Sequence, residues 1–253
     1  MTDSMNSMIK VGPDGNLTVK GGKISDAGLH GIDNAGKLII EGGMIYENYD
    51  SGVCNTGSFK MTGGTIMNNK NKGVLNKSGT AKIVSSSVTL SGNKFAIGNE
   101  AGAYFELAEA KIMQSTSTNI YAYGGEMYVH DISLATSGSN NVRIVAADVR
   151  MEDTDIKGNN SSANGSMHGL LLEGGTIDMK NVSIGNTTGN AIRNKGGDIK
   201  GKNITIKDVK SLGVQNGNQD VTGREGTSVI DKMTIENCRY NNVLVDGGTV
   251  KLT

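Results

Sequence analysis

The chain has 253 residues, 36% of them hydrophobic, and its 25 Lys and Arg balance its 25 Asp and Glu. A net charge of zero excludes the basic field that a nucleic-acid-binding surface needs, and apolar runs of only a few residues exclude a membrane-spanning helix. The content of 37 glycines and a single proline is typical of short strands joined by tight turns.

The two ends of the chain indicate how the domain is bounded. Residues 1–14 are mostly polar, and Met5, Met8 and Ile9 are apolar residues that would cover part of a first coil. We therefore interpret residues 1–14 as a partial N-terminal cap. The last residues, from Gly247 onward, resemble the opening of another repeat. We expect residues 1–253 to be a single repeat domain, a segment of a longer rod whose adjoining coils are its neighbours.

Between these two ends the sequence repeats with a period of mostly 21–24 residues. The repeat is clearest where residues 38–57 read LIIEGGMIYENYDSGVCNTG and residues 59–79 read FKMTGGTIMNNKNKGVLNKSG. Three columns of apolar residues recur in it. The first column is Ile24, Ile45, Ile66, Leu90, Ile112, Leu134, Ile156, Ile184, Ile206 and Ile235. The second column is Ile32, Val53, Val74, Ile97, Ile120, Val142, Leu170, Ile192, Val214 and Val243. The third column is Val19, Ile40, Met61, Ser85, Leu107, Val129, Met151, Met179, Gly201 and Ile230.

These columns predict an all-β fold, a right-handed parallel β-helix of about ten coils. Each unit contains three short runs with alternating apolar and polar residues, and no helical stripe of useful length. Without crossover helices, such strands can pair only with their own copies in neighbouring units. An Asn recurs two residues after the second column, at Asn34, Asn55, Asn76, Asn99, Asn194 and Asn216, and we expect these side chains to stack as an amide ladder.

Two insertions interrupt the regular period, within residues 158–168 and residues 217–228. Both flank the strand of the second column, so they border one lateral face. Tyr121, Tyr123, Arg143 and Arg193 are predicted to project from that face. Tyrosine provides a flat apolar ring with a polar tip, and arginine provides a rigid fork for carboxylate or sulfate. We predict that these four residues bind a glycan or a host-surface protein, with ordinary solvated strand surface as the alternative.

Three acidic residues, Glu109, Asp131 and Asp153, share one corner position in successive units. Carboxylates stacked about 4.8 Å apart provide oxygen ligands of the kind that Ca²⁺ prefers. Calcium is therefore the one cofactor that this column suggests. A turn preference explains the same column equally well, because Gly and Asn occupy the position in other units.

Catalytic signals are weak. The chain has three histidines, and His130 is the one with acidic neighbours, namely Asp131 in sequence and Glu152 in the expected register. Carboxylates next to a base are what a polysaccharide-cleaving enzyme needs. A polysaccharide lyase or hydrolase is therefore the alternative to a non-catalytic domain, and we assign no catalytic residue.

The repeats at residues 38–79 resemble the GGxIxxN…GVxNxG repeats of bacterial adhesin-like surface proteins, which have the right-handed β-helix of the pectin-lyase-like superfamily. The resemblance is close in residues 16–79 and looser towards the C-terminus. It implies an extracellular rod displayed at the cell surface for attachment or as a spacer. It carries over no catalytic residue, and fold alone does not establish an activity.

Overall fold

The computed structural model describes residues 5–135, 137–158, 167–217 and 225–253, and everything below concerns these residues. They form 27 parallel strands, β1 to β27, in two sheets that together make a β-solenoid of about ten turns. No described residue is helical, and in particular none of them lies in a helix suited to spanning a membrane. The predicted all-β parallel β-helix is confirmed.

The first sheet contains eleven strands, one from each coil, stacked along the rod. Ten of these strands hold the second column, and the sheet begins with a strand from the N-terminal segment. Its members are β1 (Ile9–Val11), β4 (Ile32–Asn34), β7 (Val53–Asn55), β10 (Lys72–Asn76), β13 (Phe95–Asn99), β16 (Thr118–Ala122), β18 (Val142–Ile144), β20 (Leu170–Leu172), β22 (Ile192–Asn194), β24 (Val214–Asn216) and β26 (Val243–Val245).

The second sheet contains sixteen strands. In the first five coils each turn contributes two separate strands. One set is β2 (Asn16–Val19), β5 (Lys37–Ile40), β8 (Ser58–Met61), β11 (Gly79–Val84) and β14 (Ala103–Ala108). The other set is β3 (Lys23–Ser25), β6 (Met44–Tyr46), β9 (Gly64–Met67), β12 (Val88–Ser91) and β15 (Lys111–Met113).

In the later coils these two strands merge into one long, bent strand. The merged strands are β17 (Glu126–Leu134), β19 (Ala147–Lys157), β21 (Gly175–Gly185), β23 (Asp198–Val209) and β25 (Thr227–Cys238), and β27 (Thr249–Leu252) ends the sheet. The bend occurs at one residue with left-handed backbone, such as Asp131 (φ 50°) or Asn181 (φ 54°). The strand pairs with its neighbours before and after that residue, so the corner leaves a single residue per coil unpaired.

The register confirms the three apolar columns as stacks of side chains. In the first column Ile45 pairs with Ile66 and Ile184 pairs with Ile206, and these residues are fully buried. The prediction was wrong for one member of the third column. Ile83, and not Ser85, pairs with both Met61 and Leu107, because this coil has two more residues between the third and first columns than its neighbours have.

Part of the N-terminal segment is a coil of the solenoid. Ile9 pairs with Ile32, and Val11 pairs with Asn34, so Ile9–Val11 begins the first sheet where a cap was expected. Met5 and Met8 are exposed. Of residues 1–14, only those from Met5 onward are described.

Buried asparagines form the predicted ladder. The side-chain amide of Asn34 donates to Asn55 Oδ1 at 2.6 Å, Asn55 donates to Asn76 at 2.7 Å, and Asn76 donates to Asn99 at 3.1 Å. The ladder position is apolar from Ala122 to Leu172 and resumes at Asn194. A second buried ladder, which the sequence analysis missed, joins Asn48, Asn69 and Asn93. These ladders hold the corners of the coils rigidly, and so fix the strands that carry the surface residues.

Candidate binding site

Three of the four predicted face residues lie together. Tyr121 on β16 is in register with Arg143 on β18. The Arg143 guanidinium carbon lies 5.3 Å from the Tyr121 ring centroid, and the Tyr121 and Tyr123 centroids are 6.1 Å apart. Tyr123 is 55% exposed. The period-2 alternation of the strand explains this cluster, because residues 121 and 123 project from the same side.

Phe95 extends this cluster into the preceding coil. Its ring stacks on Tyr121 with centroids 5.2 Å apart and an interplanar angle of 25°. We call Phe95, Tyr121 and Tyr123 the aromatic platform. Phe95 was not among the predicted face residues. Its position one coil before Tyr121 could have indicated that the two aromatic rings meet. Stacked rings present a flat, apolar surface of the kind on which planar or ring-shaped ligands lie.

A shallow depression of about 190 Å³ adjoins the platform, and it is lined by Lys72, Gly98, Asn99, Glu100, Tyr121 and Tyr123. Gly98 is one of the residues that line the depression. It lies in register between Leu75 and Tyr121 on the outward side of the sheet, where it contributes no side chain. The Lys72 chain crosses this gap, since a Cβ atom on Gly98 would be 2.3 Å from Lys72 Cδ.

Three cationic side chains, those of Lys72, Lys94 and Arg143, lie near the platform. The ammonium groups of Lys72 and Lys94 lie 5.9 Å and 5.6 Å from the Phe95 centroid. Arg143 is different, because its Nε donates to Glu173 Oε2 at 2.7 Å. Burial raises the pKa of Tyr121, so its hydroxyl stays protonated near neutral pH and is available as a donor.

Arg193 lies apart from this cluster and is mostly buried. It is in the outward column two coils beyond Arg143, but only 9% of it is exposed and its guanidinium donates to the Gly217 carbonyl at 2.8 Å. The expectation that Arg193 stands on an open face is therefore wrong. The insertions expected within 158–168 and 217–228 fall largely on residues 159–166 and 218–224, which lie outside the described residues. Thr227 and Ser228 belong to strand β25.

The acidic column has a backbone explanation. Glu109, Asp131 and Asp153 all have left-handed φ angles of 46–60°, which Asp and Asn tolerate better than most residues. The Asp153 carboxylate accepts a hydrogen bond from the Asn181 amide at 2.8 Å. Within the described ranges, no three acidic, histidine or cysteine side chains are grouped so that they could hold a metal ion.

His130 has the acidic surroundings that the enzyme hypothesis requires, but its ring is enclosed. Its Nδ1 lies 2.8 Å from Asp131 Oδ2, and its Nε2 lies 3.6 Å from Glu106 Oε1. The ring stacks on Tyr128 with centroids 4.3 Å apart. Nε2 is buried and makes no hydrogen bond. A general base must reach its substrate's proton, and this nitrogen is closed to solvent.

The Glu152 carboxylate next to it is also engaged. It accepts hydrogen bonds from Arg150 at 2.9 Å and from the Tyr128 hydroxyl at 2.8 Å. These two bonds lower the pKa of Glu152, so it stays ionised and is a poor general acid near neutral pH. Glu152 is therefore held by Tyr128 and Arg150, and it is not a free carboxylate beside His130.

Two other surface depressions compete with the platform. One of about 470 Å³ lies near the N-terminal end, beside Met5, Tyr49 and Lys70. It is larger, but among the described residues that line it Tyr49 is the one aromatic ring. The other, of about 390 Å³, lies along Tyr104 and Tyr128, and the Tyr128 ring is already covered by His130 and Arg150. We favour the platform because its rings are in mutual contact and its lysines are available.

Comparison with other proteins does not add to this geometry: no protein-family model matches the chain, and neither does any curated protein or solved structure.

Proposed function

We propose that this chain is a non-catalytic binding domain of an adhesin-like protein, and that it holds a glycan on the aromatic platform. The single observation that carries the proposal is the stack of Phe95, Tyr121 and Tyr123 beside the depression at Gly98. Aromatic rings bury the apolar face of a sugar, while nearby polar groups orient its hydroxyls. A rigid solenoid presents such a surface without the entropic cost of ordering a loop.

Display at the cell surface belongs to the same proposal. It is supported by the resemblance of residues 38–79 to repeats of bacterial surface proteins. An antibody against this chain should label intact cells. Labelling only after the cells are broken would contradict display.

A glycan array tests the binding directly. Wild-type protein is compared with Tyr121→Ala and with the control Tyr49→Ala, since Tyr49 is an exposed tyrosine that, like Tyr121, carries a cationic side chain above its ring. We expect Tyr121→Ala to lose at least tenfold in signal and Tyr49→Ala to bind as the wild type does. Loss in the control alone would move the site to the N-terminal depression. No binding by the wild type would favour a spacer.

A polysaccharide-cleaving enzyme is the second candidate, and the contacts of His130 with Asp131 and Glu106 are the observation that favours it. The enclosed Nε2 atom argues against it. We expect no release of reducing ends or unsaturated uronides from pectate, alginate or related polymers. Release that is abolished by His130→Ala would establish the enzyme.

A further inference from the structure

The charges around the platform point to a narrower class of ligand. We infer that the depression at Gly98 binds a single sugar residue that carries a carboxylate, within a longer glycan. This inference rests on the proposed function, because it takes the platform as the place where the sugar ring lies. It adds which chemical group the site selects and which side chains select it.

Two lysines are free to pair with an anion. Lys72 lines the depression, and its ammonium group and that of Lys94 both lie near the Phe95 ring. None of the ion pairs among the described residues involves either lysine. Arg143 is already paired with Glu173, so Lys72 provides the available positive charge that lines the depression, and Lys94 adds a second one at the adjoining Phe95 ring.

The same depression also has an acceptor. Glu100 lines it beside Lys72, and a carboxylate there repels a ligand that is anionic on every side. It accepts hydrogen bonds from hydroxyl groups instead. A ligand that matches both groups carries a carboxylate, for Lys72, and hydroxyls, for Glu100. A carboxylated sugar has this arrangement, whereas a polysulfated chain does not.

The size of the depression fits one ring. Its volume of about 190 Å³ is below the roughly 300–1,000 Å³ of pockets for drug-sized ligands. The sugar would lie against Tyr121 and Tyr123, with the neighbouring residues of the glycan outside the depression.

Gly98 provides a variant that blocks the depression without unfolding the coil. Its φ angle is not in the left-handed region. A Cβ atom there would meet only the Lys72 side chain, which is flexible and can move. Gly98→Ala should therefore fold normally, fill the gap and displace the Lys72 chain from it.

The test compares three hexasaccharides of β-1,4-linked residues: glucose, glucuronate, and glucose bearing sulfate. Affinities are measured by titration calorimetry at low ionic strength. We expect the glucuronate hexamer to bind the wild type at least tenfold more tightly than the glucose hexamer, and more tightly than the sulfated one. Lys72→Gln should remove about tenfold of the affinity for glucuronate and change that for glucose by less than twofold. Gly98→Ala should weaken every hexamer, and the control Lys70→Gln should weaken none.

Each outcome decides a different point. Equal affinity for glucose and glucuronate would overturn the inference and leave the proposed function standing. Tightest binding of the sulfated hexamer would overturn it in favour of general anion binding. Failure of the wild type to bind any hexamer would also overturn the inference, and the glycan array decides separately whether the proposed function stands.

Discussion

At the scale of single residues, two histidines have a structural role that requires them to be neutral. His168 Nδ1 accepts the backbone N–H of Asn190 at 3.1 Å, and His30 Nδ1 accepts that of Ser51 at 3.4 Å. Both histidines occupy the position two residues before the second column, and both are buried. Burial is the main cause that lowers the pKa of each, to about 4 for His168, where Arg193 and Lys195 lower it further.

The depressed pKa of His168 predicts a loss of stability in acid. Its ordinary value is 6.5, so between pH 6.5 and about pH 4 the unfolded chain binds a proton that the folded chain does not. The free energy of unfolding should therefore fall as pH falls through this window, by as much as about 3 kcal/mol. Urea unfolding of the wild type and of His168→Gln, which retains an acceptor but does not titrate, measures this contribution. An equal loss in both proteins would contradict it.

A substitution at Asp153 tests whether the backbone of the turn, and not a metal ion, explains the acidic column. If the left-handed backbone alone selects this residue, Asp153→Asn should be as stable as the wild type, because Asn181 and Asn203 adopt the same backbone at this position in the next two coils. Asp153→Val should cost about 1–3 kcal/mol, because a β-branched residue is strained at φ 46°. Thermal unfolding with and without Ca²⁺ makes the measurement. A calcium-dependent rise in Tm that Asp153→Asn abolishes would instead indicate a metal site.

At the scale of elements, the asparagine ladder joins coils that the apolar columns alone would leave free to slip in register. Asn55 donates to Asn76 and to the carbonyls of Gly57 and Thr80, and it accepts from Asn34. Each coil that carries the ladder thus has a buried polar contact that is satisfied only when its neighbours are in register. Such networks stabilise when they are complete and cost free energy when one member is missing.

Removal of one member of the ladder should therefore be costly. Asn55→Ala removes the donor to the buried Asn76 oxygen and one of the acceptors of the Asn34 amide, and we expect a loss of about 2–4 kcal/mol. The control is Asn203→Gly, which removes an exposed ladder amide and tolerates the left-handed backbone, and it should cost about 0.5 kcal/mol or less. Chemical unfolding measures both. Similar costs for the two variants would contradict a structural role for the buried ladder.

At the scale of the whole molecule, the repeat pattern predicted the coil, its columns and most of its register. Core positions are readable because every inward residue must match its copies in two neighbouring coils. The prediction failed at Ser85, where a longer connection between Ile83 and Leu90 moved the core position. It also missed the merging of two strands at the Asp and Asn corners, because a single left-handed residue bends a strand without ending its pairing.

The candidate site was only partly readable from sequence. Alternation along one strand placed Tyr121 and Tyr123 together, and the register added Arg143. The period does not encode the burial of Arg193 or its hydrogen bond to the Gly217 carbonyl. The contact of Phe95 with Tyr121 depends on how a side chain is oriented between two coils, and the depression that Gly98 lines is likewise not encoded by the period.

The seven tyrosines of the chain allow one measurement to test the central claim, that the platform is the binding surface. Tyr121 and Tyr123 report on the platform, Tyr49 on the N-terminal depression, and Tyr104 and Tyr128 on the face that holds His130. NMR spectra of protein with ¹³C-labelled tyrosine rings are recorded during titration with a glycan that the array selects. Shifts should be largest for Tyr121 and Tyr123 and near zero for the others. Largest shifts at Tyr49, or at Tyr104 and Tyr128, would contradict the account.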